Sequence, residues 1–286
     1  MTDTVDAVFD AVAETAGDIR GALAERRACE EAENPSGERQ LAADVYADDL
    51  LGERLLAIEG VASYASEERE SAVGAGGGPY HVGCDPLDGS SNLRSNNGMG
   101  TVVGIYDQPL PAPGDALVAA GYVLYGPITT MATARNGTVT EYLIDGGSRE
   151  VLTRDVDLPD DPVVYGFGGR VPDWTDAFRA YVDEIEADRL KLRYGGAMVA
   201  DVNQVLTHGG VFGYPTLEGR PEGKLRLQFE GIPVAAVVEA AGGASSDGER
   251  SLLAGEPSTL HERSPVFVGN ETLIDALEAT LRGPQP

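Results

Sequence analysis

Tyr80-His81-Val82-Gly83-Cys84-Asp85-Pro86-Leu87-Asp88-Gly89-Ser90-Ser91 decides the reading of this chain. Tyr80 to Cys84 reads as a strand, and a proline-fixed turn at its end carries two carboxylates, Asp85 and Asp88. Gly89-Ser90-Ser91 then offers backbone N–H groups where a tight turn or helix begins, a natural seat for an anion. Carboxylates favour Mg²⁺, and a carbonyl such as that of Leu87 completes its oxygen shell. One segment can therefore hold metal and phosphate side by side. Taken alone, it also reads as an acidic turn with capping serines.

Other carboxylates tip that balance. Ser66-Glu67-Glu68 ends an upstream predicted strand, Glu230 ends a predicted strand over Lys224–Phe229, and Glu38 and Asp44 lie beside the second predicted helix. Each by itself reads as a solvated acid in so acidic a chain. With Asp85 and Asp88 they supply the ligands of a two- or three-metal phosphoryl-transfer site.

Outward from this segment the pattern is mixed. Val5, Val8, Phe9, Val12, Ala16, Ile19 and Leu23 follow helical spacing, predicting a helix over about 4–28. A second helix over about 39–57 carries Leu41, Val45, Leu51 and Leu55 on one side. Strands are expected around 60–66, 80–85, 100–106, 118–125, 129–135 and 138–144, the last two joined by the hairpin signal Asn136-Gly137. From about 160 strands and helices alternate: a strand at Val163–Phe167, a helix through Trp174, Phe178, Tyr181 and Ile185, and a short strand at Leu190–Arg193. A helix at Met198–Leu206 follows, then the strand at 224–229, a helix at Val234–Ala241, a strand at Val266–Val268 and a last helix capped by Asn270. The class is α/β in the layered α+β sense, with a mixed sheet in residues 1–160 and β–α units in 161–286.

Composition excludes other classes. The 286 residues carry 47 acidic against 21 basic side chains, a formal charge of −26, so a basic nucleic-acid surface is not expected. No apolar run approaches the ~18 residues of a membrane span. The first residues, Met1-Thr2-Asp3-Thr4-Val5-Asp6, have neither basic cluster nor apolar stretch, which excludes a signal peptide and points to the cytoplasm. At 42% hydrophobic, in periodic runs, the chain is globular rather than disordered. Two cysteines, Cys29 and Cys84, and three scattered histidines make neither a disulfide scaffold nor a zinc site. Only two of the basic residues are lysines, Lys191 and Lys224. Abundant carboxylates with almost no lysine suit concentrated salt, where self-repulsion is screened, and predict a halophilic source.

With these motifs in order the chain resembles the class I fructose-1,6-bisphosphatases of the inositol-phosphatase-like superfamily. The match runs from Gly37-Glu-Arg-Gln40 and Ala43-Asp-Val45 through Ser66-Glu67-Glu68, Asp85 to Asn92 and Ala119 to Gly126. It continues with Arg193-Tyr194, Met198 to Val202, Gly209 to Pro215, Gly223 to Leu227 and Ala240 to Gly243. The resemblance implies the sugar-phosphatase fold of alternating helix and sheet layers, and Mg²⁺-dependent hydrolysis of fructose 1,6-bisphosphate in gluconeogenesis. It implies two or three Mg²⁺, or Mn²⁺, on Glu67, Asp85, Asp88, Glu230 and the Leu87 carbonyl, with Glu38 serving a third ion. Asp44 and Glu68 correspond to the pair that activates water, and Gly89, Ser90 and Ser91 to the 1-phosphate cradle beside Asp88. Tyr194, Tyr214 and Lys224 correspond to 6-phosphate and sugar contacts, Arg226 lies near the metals, and Arg193 reaches across from a neighbouring subunit of a homotetramer. The halves then divide as metal and phosphate binding in 1–160 and sugar-phosphate binding in 161–286.

Two departures stand out. Tyr165-Gly166-Phe167-Gly168-Gly169 replaces a Ser-apolar-Asn-Glu-Gly stretch, so an Asn contact to the 6-phosphate is missing at Gly168. Pro79 and Asp107 replace a Lys and an Arg of the AMP site of animal members, so no AMP inhibition is expected there. A sedoheptulose 1,7-bisphosphatase, an inositol monophosphatase and a non-catalytic acidic scaffold are the alternatives. Arg193-Tyr194 and Lys224-Leu-Arg226 argue against a monophosphate substrate.

Overall fold

Asp3 caps the first helix, its carboxylate accepting from the Val5 N–H at 3.3 Å. The computed structural model describes residues 3–26, 29–33, 35, 39–74 and 76–283. Helix α1 (Thr4–Ala22) buries Val5, Val8, Phe9, Val12, Ala16 and Ile19. It ends at Ala22, short of the expected bound, where the apolar stripe runs out at Leu23. A ribbon, β1 (Cys29–Glu33) with β2 (Arg39–Leu41), leads into α2 (Ala42–Leu56). The buried side of α2 is Asp44, Ala47, Asp48, Leu51 and Leu55, and Val45 is exposed instead of sharing it.

Beneath these helices lies an eight-stranded sheet. Its strands are β3 (Val61–Ser66), β4 (Val73–Gly74), β5 (Tyr80–Asp88), β6 (Met99–Tyr106), β7 (Leu117–Tyr125), β8 (Thr129–Arg135), β9 (Thr138–Asp145) and β10 (Ser148–Thr153), in the order β10-β9-β8-β7-β6-β5-β3-β4. All neighbours are antiparallel except β3 and β5, which run parallel. Asn136 and Gly137, at φ 53° and 75°, form the tight turn between β8 and β9 that their sequence predicts. Alternation sorts the faces: Met99, Val103 and Ile105 of β6 pack toward α1 and α2, Val102 and Tyr106 away from them.

That second face meets α4 (Met198–His208) and α5 (Ile232–Ala240), through Met198, Val199, Val202, Ile232, Val234 and Val238. On their far side lies a five-stranded sheet of β11 (Val164–Phe167), β12 (Lys191–Leu192), β13 (Gly210–Tyr214), β15 (Ala244–Ser246) and β17 (Val266–Gly269), ordered β12-β11-β13-β17-β15. Phe212, Val266 and Val268 face inward, while Val211 and Phe267 face α3 (Asp176–Ala187) and α6 (Glu271–Arg282). The result is five layers, helix, sheet, helix, sheet, helix, in agreement with the class expected. Asn270 precedes α6 as expected, but its side chain accepts from the Gly210 N–H at 2.6 Å and donates to the Pro159 carbonyl, joining strands rather than capping.

One expected strand is not there. Only Leu225–Arg226 is extended (β14, paired with β16, Arg263–Ser264), and Leu227–Gly231 coils into a wide π-type turn that runs into α5. Leu225, Leu227 and Phe229 alternate with Arg226, Gln228 and Glu230, but all six are buried, so the alternation carries no face information. The Arg226 N–H donates to Glu230 Oε2 at 2.6 Å and closes the turn.

Candidate active site

The one parallel pair in the first sheet builds the site. Parallel strands end side by side, and Ser66 of β3 pairs in register with Cys84 of β5. The Glu67 N–H donates to the Cys84 carbonyl at 3.1 Å, so Glu67, just past the end of β3, comes to lie beside Asp85 of β5. The turn expected at Pro86 is instead an irregularity within β5, which stays paired with β6 through Asp88. Thr101 Oγ1, tied to the Tyr125 hydroxyl at 2.9 Å, donates to the Pro86 carbonyl at 2.8 Å and pins it from behind. The Leu87 N–H donates to Asp85 Oδ1 at 3.0 Å. Gly89 is left-handed at φ 71°, and a Cβ there would lie 2.9 Å from Ala197 Cα. Both conformation and space therefore require glycine. The close approach brings in the N-terminus of α4, whose Val199 N–H donates to Asp88 Oδ2 at 2.8 Å.

Glu230 arrives from the other side through the π-type turn. One carboxylate oxygen from each of Glu67, Asp85 and Glu230 falls within 4.8 Å of the others, all three residues buried. Arg226, 2% exposed, donates Nη1 to Glu67 Oε1 at 2.9 Å and lies 3.9 Å from Glu230 Oε2. A cleft of about 160 Å³ opens over this triangle, lined also by Asp44, Glu68, Leu87, Asp88, Gly89, Ser90, Ser91, Tyr214 and Lys224. The expected site residues thus converge from both halves of the chain. Tyr194 joins them through Tyr214, the two hydroxyls 2.6 Å apart, and Lys224 Nζ sits 4.7 Å from the centre of the Tyr214 ring. Arg193 is exposed beside the edge strand β12 and does not line this cleft. Glu38 lies outside the described residues.

So many carboxylates in one buried place cannot all ionise unaided. Burial, then Glu67, pushes Asp85 well above the usual carboxylate range. Burial, then Glu230, raises Asp88 to about 7, against the Val199 N–H. Burial, then Glu67, raises Glu230 to about 8, against Arg226. Lys224, which opposes the rises of Asp88 and Glu230, and Arg226, which opposes that of Glu230, still leave both raised and the cluster short of positive charge. A small, hard cation would lower all three, and an all-oxygen donor set suits Mg²⁺ or Mn²⁺ rather than a soft metal.

Reading the sequence alone misses a supporting layer. Asp48, one helical turn after Asp44 on the buried side of α2, accepts from the Ser66 hydroxyl at 2.6 Å and the Tyr64 hydroxyl at 3.0 Å. Its other oxygen pairs with Arg69 Nε at 2.7 Å. Asp48 therefore ties down both shoulders of the Glu67-Glu68 turn, and Ser66 Oγ also accepts the Glu68 N–H at 3.3 Å. The available signal was two acids four apart on a face otherwise apolar. Gly196 and Met198, which also line the cleft, carried no such signal.

Comparison with known proteins matches this geometry to one family along nearly the whole chain. Residues 5–152 match the model described as the fructose-1,6-bisphosphatase N-terminal domain, and residues 158–282 the C-terminal domain. The class 1 fructose-1,6-bisphosphatase of Natronomonas pharaonis is 68% identical over 98% of this chain and 100% of its own length. That of Halobacterium salinarum is 60% identical over 98% of each chain. The crystal structure of Leishmania major fructose-1,6-bisphosphatase in holo form superposes with a TM-score of 0.92 at 27% identity, covering 97% of this chain and 94% of that one.

Proposed function

The chain belongs to the class 1 fructose-1,6-bisphosphatases, and from that membership we propose how its residues divide the hydrolysis of fructose 1,6-bisphosphate to fructose 6-phosphate and phosphate. The observation that carries the reading is the buried triangle of Glu67, Asp85 and Glu230 in a cleft that Gly89, Ser90 and Ser91 also line. Those three, with Asp88 and the Leu87 carbonyl, would hold the divalent ions, Mg²⁺ first and Mn²⁺ second, and Glu38 would serve a third. When bound, such ions neutralise phosphate oxygens, lower the pKa of a bound water and offset the charge of a departing alkoxide.

The chain's own groups do the rest. Gly89, Ser90 and Ser91 turn their N–H groups to the 1-phosphate and fix phosphorus in place. Glu68 and Asp44 accept the proton of the attacking water. Asp44, which lines the cleft, is held for this by the Leu41 N–H, which donates to its Oδ2 at 2.6 Å. Arg226 bridges Glu67 and Glu230 and offsets their repulsion without supplying enough charge to replace an ion. Tyr194, Tyr214 and Lys224 take the 6-phosphate, Lys224 being the cleft's only lysine in a chain of charge −26. The first half thus supplies most of the metal and 1-phosphate contacts and the second half the sugar-phosphate contacts, with Glu230 crossing that division. Exposed Arg193, outside its own cleft, would reach a neighbouring copy in a homotetramer.

Phosphate release in molar KCl tests the assignment. Fructose 1,6-bisphosphate should lose one phosphate only when Mg²⁺ is present, with sedoheptulose 1,7-bisphosphate, inositol 1-phosphate and fructose 6-phosphate far slower. Equal turnover of all four would refute the distal-phosphate reading. Millimolar AMP should leave the rate unchanged, given Pro79 and Asp107. Among the described residues no helix is long and apolar enough to cross a membrane, and we place the enzyme in the cytoplasm of a salt-adapted cell. Loss of fold and activity on dialysis into low-salt, metal-free buffer is the outcome this predicts.

The layer under Glu67-Glu68 makes its own prediction. Asp48→Asn should raise the Mg²⁺ concentration for half-maximal rate by about 10–100-fold, the usual cost of losing an outer partner of a metal ligand, while the rate at saturating Mg²⁺ is largely kept. Asp49→Asn, whose carboxylate meets the same Arg69 at the surface, serves as the control and should change neither. Equal effects of the two substitutions would exclude a role for Asp48 in holding the turn.

A further inference from the structure

The ring of Tyr214 lies on the bare Cα of Gly168. β11 and β13 are parallel neighbours, Phe167 opposite Gly213, and the Gly168 N–H donates to the Gly213 carbonyl at 2.8 Å. Residues 168 and 214 therefore leave the two strand ends side by side. A Cβ added to Gly168 would penetrate the Tyr214 ring at Cδ1, Cε1 and Cζ, lying 2.5 Å from the last. The reason for glycine here is space.

Neither partner has room to withdraw. The Gly168 carbonyl accepts the Trp174 indole N–H at 2.9 Å, and its N–H is already tied to β13. On the other side Tyr214 is held by the Tyr194 hydroxyl at 2.6 Å and by Lys224 over its face, and only 6% of it is exposed. The ring is clamped between a glycine and a lysine.

We propose that Gly168 is a positioning residue: its missing side chain is the slot that seats Tyr214, and through Tyr214 it sets the Tyr194 hydroxyl and Lys224 toward the distal phosphate of the substrate. The inference rests on the reading of Tyr194, Tyr214 and Lys224 as the distal-phosphate contacts. It reverses what the sequence implied, since Gly168 is then a gain of aromatic placement rather than only the loss of an Asn.

A double-mutant cycle in molar KCl tests it. Gly168→Ala should raise the KM for fructose 1,6-bisphosphate about tenfold, a coupling of about 1.4 kcal/mol, with kcat and the Mg²⁺ requirement little changed. Tyr214→Ala should raise KM similarly, and adding Gly168→Ala to it should cost nothing more. An unchanged KM in Gly168→Ala beside a raised KM in Tyr214→Ala overturns the slot, and so do effects that multiply. If Tyr214→Ala leaves KM unchanged, the distal-phosphate reading fails instead, and melting temperatures judge the slot. Gly168→Ala then lowers Tm in the parent but not in the Tyr214→Ala background, equal losses overturning it. Should Gly168→Ala fail to fold, the double variant regains the fold if the ring is the obstacle, and stays unfolded if it is not.

Discussion

Asp85→Asn should cut phosphate release by more than about a thousand-fold at any Mg²⁺ concentration, beyond the ~10–100-fold cost of losing an outer-shell partner. Asp85 is 4% exposed, and its neighbours in the triangle are also carboxylates. Asparagine has nearly the same shape and can still accept the Leu87 N–H, so the local backbone of β5 is kept. What disappears is one anionic oxygen among three that an ion would share. Burial and the charges of Glu67, Asp88, Glu230 and Glu68 all oppose ionisation of Asp85 in the metal-free protein. The substitution should therefore leave the melting temperature of the metal-free protein unchanged or raise it, a trade of stability against activity. Phosphate release and thermal melting on one preparation check both halves. Near-normal turnover would remove Asp85 from the site, and a large fall in melting temperature would mean that its charge supports the fold.

Mg²⁺ should stabilise the protein far more at pH 8.5 than at pH 6. Asp88 and Glu230 have folded pKa values of about 7 and about 8, above those of an unfolded chain. Between roughly pH 4 and pH 8 the folded protein therefore holds protons that the unfolded chain has released. Stability from these groups is complete at the acid end of that window and lost as pH rises through the folded values. An ion that binds the deprotonated cluster restores it, by about 2.7 kcal/mol at a hundred times its Kd. At pH 6 the same ion must first displace protons, so its apparent affinity falls. Melting curves with and without Mg²⁺ across this range, in constant KCl, measure the difference. A Mg²⁺-dependent shift that is the same at both pH values would place the ion elsewhere.

Legibility from sequence followed the range of the interactions. Asp85 to Ser91 is contiguous, so its chemistry could be read directly, as could the Asn136-Gly137 turn that needs two positive φ values. The layer order could not, because β6 is buried along its whole length and its two faces differ only in which helices they meet. The π-type turn at Leu227–Gly231 defeated periodicity for the same reason, although Glu230 was still identified by its motif. Asp48 escaped because its partners Ser66 and Arg69 lie on the far side of a helix–strand connection. Gly168 was legible as a departure, but the ring that occupies its place comes from a strand more than forty residues on.

The parallel contact of β3 with β5 and the late arrival of Glu230 together set a birth order for the enzyme. A chain growing from its N-terminus would have Glu67, Asp85 and Asp88 available while Arg226, Glu230 and Lys224 were still unmade. Contacts of such long sequence separation close late in folding. The complete carboxylate triangle proposed to hold the ion, with the guanidinium that bridges two of its members, is therefore a property of the finished molecule, and a nascent first half lacks Glu230 and the proposed distal-phosphate contacts alike.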